Sequence, residues 1–171
     1  FGDAAGTNDD IVLSAGITLA SETSLTLDAT TGGITASGAI TLNAKAGVTI
    51  NDAVTASGTV DIDADTDNDG GTLTLAAALD ASGGSNITIT ASDVVMGSGS
   101  IDAGANNLTI SRSTTGVIDL GTGTDGLSLI DAELDNITIS GLLTIGGSNT
   151  TTLTVDGWSM ETTITGNATL V

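Results

Sequence analysis

Short triplets of the form apolar–polar–apolar recur along this chain, usually with Thr in the middle, and no stretch follows the helical period. They stand at residues 17–19, 25–27, 40–42, 48–50, 60–62, 73–75 and 87–89, and again at 108–110, 127–129, 137–139, 143–145 and 153–155. A period of two sends successive side chains to opposite faces, so each triplet predicts a short, half-buried β-strand. Leu73, Leu75, Ile87, Ile89, Leu108 and Ile110 are then expected inside, with Thr74, Thr88 and Thr109 facing solvent. Glycine-rich turn signals separate the triplets, among them Thr31-Gly32-Gly33, Asp69-Gly70-Gly71, Ser82-Gly83-Gly84 and Gly146-Gly147.

Such strands are too short and too closely spaced for a β-sandwich. Apolar anchors at Val48, Val54 and Val60, then at Leu73, Leu79, Ile87, Val94, Ile101 and Leu108, fall at near-regular steps. Three such sides make a coil of roughly 20 residues, and self-similarity at that period marks a β-solenoid. Parallel coils stack about 4.8 Å apart, which predicts roughly eight coils and a rod about 40 Å long.

Composition agrees with a narrow tube. Ile, Leu and Val fill the interior almost alone, because the 171 residues hold one Phe, one Trp and no Tyr. Thr is a strand former that stays hydrated on an outer face. Pro is absent, as it must be where every interior strand donates its N–H groups to a neighbour. The expected class is therefore all-β, a parallel β-solenoid of about 20 residues per coil. Residues 1–171 are expected to form one domain, a segment of a longer repetitive secreted protein. The polar segment from Phe1 to Asp10, with Phe1 as a plug, is expected to cover one end of the stack.

The stretch Leu73-Thr-Leu-Ala-Ala-Ala-Leu-Asp-Ala-Ser-Gly-Gly-Ser-Asn-Ile-Thr-Ile-Thr-Ala91 resembles the repeats of filamentous-haemagglutinin-like exoproteins of two-partner secretion. Gly33-Ile-Thr-Ala-Ser-Gly-Ala-Ile-Thr-Leu-Asn-Ala44 and Gly58-Thr-Val-Asp-Ile-Asp-Ala64 follow the same pattern. The resemblance implies a right-handed parallel β-helix, secreted and elongated, that displays adhesive surfaces on the bacterial exterior.

Two segments suggest calcium. Asp65-x-Asp67-x-Asp69-Gly70 matches the first half of a DxDxDG loop, in which alternate carboxylates converge on a hard cation. The Glu such a loop carries at its twelfth position is replaced by Ala76, so an acidic solvated turn is the competing reading. Gly121-Thr-Gly-Thr-Asp125-Gly-Leu127 resembles one turn of a calcium-binding nonapeptide repeat, but no second copy follows, and a glycine-rich corner is expected there. Asn86, Asn107, Asn136, Asn149 and Asn167 begin N-x-Thr sequons. They are glycosylation candidates in a secreted protein, or members of an Asn ladder at coil corners.

Charge and residue types exclude much else. The net charge of −19 repels phosphate backbones and anionic lipid surfaces, so neither nucleic acid nor membrane is an expected partner. No apolar run reaches the 18 or so residues of a membrane helix. Without His, Cys or Tyr, catalytic triads, thiolates and zinc sites are missing. Asp9-Asp10 is the one adjacent acidic pair, and Lys45 and Arg112 are far apart, so a polysaccharide-active enzyme is a remote alternative. The expectation is a non-catalytic secreted adhesin or filament scaffold at the cell surface, with no cofactor other than calcium. Expected partners are a surface receptor or glycan and further copies, end to end or side by side. A self-assembling filament or surface-layer subunit is the rival reading.

Overall fold

The computed structural model describes residues 10–122, 125–160 and 163–171. Phe1, Asp9, Gly123 and Thr124, on which three of the expectations above rest, lie outside them.

The chain winds upward through stacked levels, each with three short sides. The first level is β1 (Ile11–Leu13), β2 (Ile17–Ser21) and β3 (Leu25–Leu27). Above it lie β4 (Ile34–Ala36), β5 (Ile40–Ala44) and β6 (Val48–Ile50), then β7 (Val54–Ala56), β8 (Val60–Asp63) and β9 (Thr72–Leu75). The fourth level is β10 (Ala78–Asp80), β11 (Ile87–Ala91) and β12 (Asp93–Val95). The fifth begins with β13 (Ser100–Gly104) and β14 (Leu108–Arg112), followed by β15 (Gly116–Gly121), β16 (Leu127–Ile130) and the short helix α1 (Asp131–Leu134). Next come β17 (Ile137–Ile139), β18 (Leu142–Ile145) and β19 (Thr150–Asp156), and last β20 (Asn167–Leu170).

Strands of the same side pair in parallel. One face runs β1-β4-β7-β10-β13-β17, extended by an Ile139–Ile164 bridge. A second runs β2-β5-β8-β11-β14-β18-β20, and the third is divided into β3-β6-β9-β12 and β16-β15-β19. The protein is a parallel β-solenoid of about 7 turns and roughly 23 residues per turn.

The coil is longer than 20 residues for identifiable reasons. Ile40 pairs with Val60, a separation of 20, but Val60 pairs with Ile87, because residues 65–70 leave the wall as a loop. Leu108 pairs with Leu143 across the largest excursion, which contains β15, β16 and α1. On the third face the order inverts: β16 lies next to β12, and β15, although earlier in the chain, lies above β16. Gly121 (φ +106°) and Gly126 (φ +74°) flank this tight parallel return. A Cβ on Gly121 would come within 2.0 Å of the Asp156 carbonyl, and one on Gly126 within 2.2 Å of the Val117 carbonyl. At Gly121 and Gly126 a side chain is thus excluded by left-handed backbone and close strand approach.

Inside, like stacks on like. Ile40, Val60, Ile87, Leu108 and Leu143 form one buried column, and Leu42, Ile62, Ile89, Ile110 and Ile145 form another. Each such side chain contributes roughly 1.5–3 kcal/mol on burial. Outside, Thr18, Thr41, Asp61, Thr88, Thr109, Thr144 and Thr169 stand in one register column. Leu73, Leu75, Ile87, Ile89, Leu108 and Ile110 are buried as the alternation predicts. Thr74, Thr88 and Thr109 are half-buried, because outward side chains a strand spacing apart shield one another.

Candidate functional site

The loop between β8 and β9 brings the calcium candidates together. One carboxylate oxygen each from Asp65, Asp67 and Asp69 lies within 4.8 Å of the others. Asp67 and Asp69 are exposed, whereas Asp65 is 1% exposed. The Asp65 carboxylate already holds the loop. Its Oδ1 accepts the N–H groups of Asp69 (2.9 Å) and Gly70 (3.0 Å), and its Oδ2 accepts the Ser113 hydroxyl (2.5 Å). Ser113 directly follows β14, so this bond ties the third level to the fifth. Asn68 (φ +60°) and Gly70 (φ +131°) supply the left-handed backbone that turns these amides inward. Burial pushes the Asp65 carboxyl upward, but the donors of Ser113, Gly71, Gly70 and Asp69 outweigh it and hold the group below the usual carboxylate range.

Asp63 shows the opposite balance. It accepts the Asp65 N–H (3.1 Å). Burial nevertheless raises its carboxyl, with the charges of Asp65 and Asp61 adding to the shift. Lys45 lies nearby, paired with Glu22, and its ammonium is stabilised by Glu22 and also by the charges of Asp67 and Asp69. Ala76, at the twelfth position, offers no carboxylate, and its N–H joins the ladder through Ile50 O (2.9 Å). A cation here would meet two exposed carboxylates and a third already shared among three donors.

Carboxylates elsewhere do the same work, which sequence reasoning missed. Asp28, Asp63, Asp80 and Asp102 each accept the N–H two residues on, and the Ala that follows each of them is buried in the corner. The recurrent Asp-Ala dipeptide was the available signal. Asp10 accepts the Gly33 N–H (3.0 Å) and Asp52 the Ala29 N–H (2.6 Å), each from one level to the next. The short Asp side chain reaches such amides where Glu would overshoot, consistent with 18 Asp among 21 acidic residues.

The sequon asparagines divide by role. Asn86 Oδ1 accepts the Asn107 N–H (3.0 Å), and Asn107 Oδ1 accepts the Leu142 N–H (3.1 Å). This is the expected corner ladder in altered form, running from amide to backbone rather than amide to amide. Asn136 donates Nδ2 to Ala132 O, and Asn149 donates to Arg112 O and Ser113 O, so the nitrogen that would carry a glycan is engaged. Asn167 lies exposed on β20. Arg112, half-buried, donates to Thr114 O and Val117 O and pins the corner before β15.

Comparison with family models, curated proteins and solved structures finds no match to this chain.

Proposed function

We propose that this chain is a non-catalytic length of scaffold in a secreted bacterial surface protein, a rod that spaces and displays adhesive faces outside the cell. One observation carries the reading: the polar side chains of the corners are engaged with the solenoid's own backbone, level to level. A stack built this way lengthens by about 4.8 Å per coil at no cost to its neighbours. The absence of His, Cys and Tyr and the haemagglutinin-like repeat pattern support the same reading. A receptor or neutral glycan suits an outer surface rich in hydroxyls and carboxylates.

The test immobilises the purified protein and measures binding of bacterial and host cells and of a glycan panel, with acidic polysaccharides assayed in parallel for cleavage. Retention of cells or glycans without release of new chain ends is expected. Turnover of an acidic polysaccharide would overturn the proposal.

One observation favours the filament reading. Every residue of β20 is exposed, Leu170 among them, and Val171 lies open after it. That edge is open to pairing with another copy. Light scattering across concentration separates the two: a mass that grows with concentration supports copies stacking on one another.

A further inference from the structure

The third face is interrupted between the fourth and fifth levels, while the other two continue. Across that step β10 pairs with β13 over three residues and β11 with β14 over five. On the third face the ladder stops at β12, and β16 stands beyond it as part of a separate sheet.

Two carboxylates take the place of the missing ladder bonds. Asp93 Oδ1, from β12, accepts the Ser128 N–H of β16 (2.9 Å). Glu133, from α1, accepts the Met96 N–H across the step through Oε1 (2.8 Å), while its Oε2 accepts the Ile130 N–H at the start of its own helix (3.1 Å). Val94 and Met96 below the step, and Leu127, Leu129 and Leu134 above it, are all buried. The seam is therefore closed and dry, with side-chain bonds where its neighbours have a main-chain ladder.

The cause lies in the inverted order of the strands. After β14 the chain rises to β15, returns down to β16, and then rises again through α1 to β17. Strand β16 thus reaches β12 as the end of a return rather than as the next wind of the coil. Cohesion in a solenoid is a sum of nearest-neighbour interface terms, and local opening follows the weakest of them.

We propose that this seam is a one-sided hinge: the β12–β16 face opens as a unit while the ladders of the other two faces stay closed. Opening bends the rod about the β10–β13 and β11–β14 steps and uncovers Met96, Leu127 and Leu129. In a rod that displays adhesive faces, it is the place where the rod yields first.

Native-state hydrogen exchange tests this on the intact chain. Protection factors for the Met96 and Ser128 amides are compared with those of Ile89 and Ile110 on the uninterrupted face. The hinge predicts that the two seam amides share one protection factor, lower than that of Ile89 and Ile110 by about tenfold or more. Glu133→Ala should lower protection at Met96 further and leave Ile89 and Ile110 unchanged, whereas Glu133→Gln, which keeps a carbonyl acceptor, should fall between. Equal protection of seam and ladder amides in the unsubstituted protein would overturn the proposal. So would a Glu133→Ala variant, folded by circular dichroism, that loses protection equally at all four positions.

Discussion

Asp65 and Asp63 are two residues apart on one corner, and the fold treats their charges in opposite ways. Replacing Asp65 with Ala leaves two loop amides and the Ser113 hydroxyl without their acceptor. The expected loss is about 2–3 kcal/mol in denaturant unfolding. Because the Asp65 carboxyl is held low, its contribution is full above the unfolded value of about 3.9 and is lost as pH falls through the folded value. The raised Asp63 carboxyl works in reverse: its protonated form favours the fold, and that advantage disappears as pH rises through its folded value. Asp63→Asn keeps an acceptor for the Asp65 N–H and removes the buried charge. Its melting temperature should exceed that of the parent at pH 7 and converge with it at about pH 3. A lower melting temperature at pH 7 would show that the charge of Asp63 is needed. None of this asymmetry was legible in the sequence, where 63, 65, 67 and 69 read as one alternating acidic run. Which carboxylate turns inward depends on Ser113, 48 residues away.

At the scale of the strand, register is the claim that single substitutions probe. Ile89 sits in a column between Ile62 and Ile110 and is fully buried. Ile89→Asp places an unpaired charge there and should cost more than about 4 kcal/mol, unfolding neighbouring levels with it. Thr88→Asp faces outward beside Asp61, and like charges in adjacent register cost only about 1 kcal/mol. Chemical denaturation of the two variants reads both values, and a larger loss for Thr88→Asp would invert the register. The strands themselves were legible, because alternation such as Ile87-Thr-Ile-Thr is a local signal that needs no knowledge of the fold. The inversion of β15 and β16 was not: the triplet 127–129 announces a strand without saying which neighbour it meets. Helix α1 escaped for a related reason. It is one turn long, and Glu133 secures it through the Ile130 N–H and through Met96 on the level below.

For the whole molecule, a charge of −19 on a short rod makes stability depend on salt. The loop of residues 65–70 closes through protein donors, and its Asp65, Asp67 and Asp69 carboxylates lie within 4.8 Å of one another. Melting temperatures in millimolar calcium chloride and in sodium chloride of equal ionic strength separate the two readings of this loop, and equal values would leave only screening. A calcium-specific rise that Asp67→Asn and Asp69→Asn abolish would instead identify the loop as an ion site. The account as a whole stands on one arrangement, parallel coils in register with like side chains stacked. Methyl NOEs in the selectively labelled protein measure it most directly. Contacts of Ile62 with Ile89, Ile89 with Ile110, and Leu108 with Leu143 are predicted, at separations of 27, 21 and 35 residues. If those contacts are missing and consecutive strands such as β5 and β6 face each other as antiparallel hairpins, the solenoid and the function argued from it are contradicted.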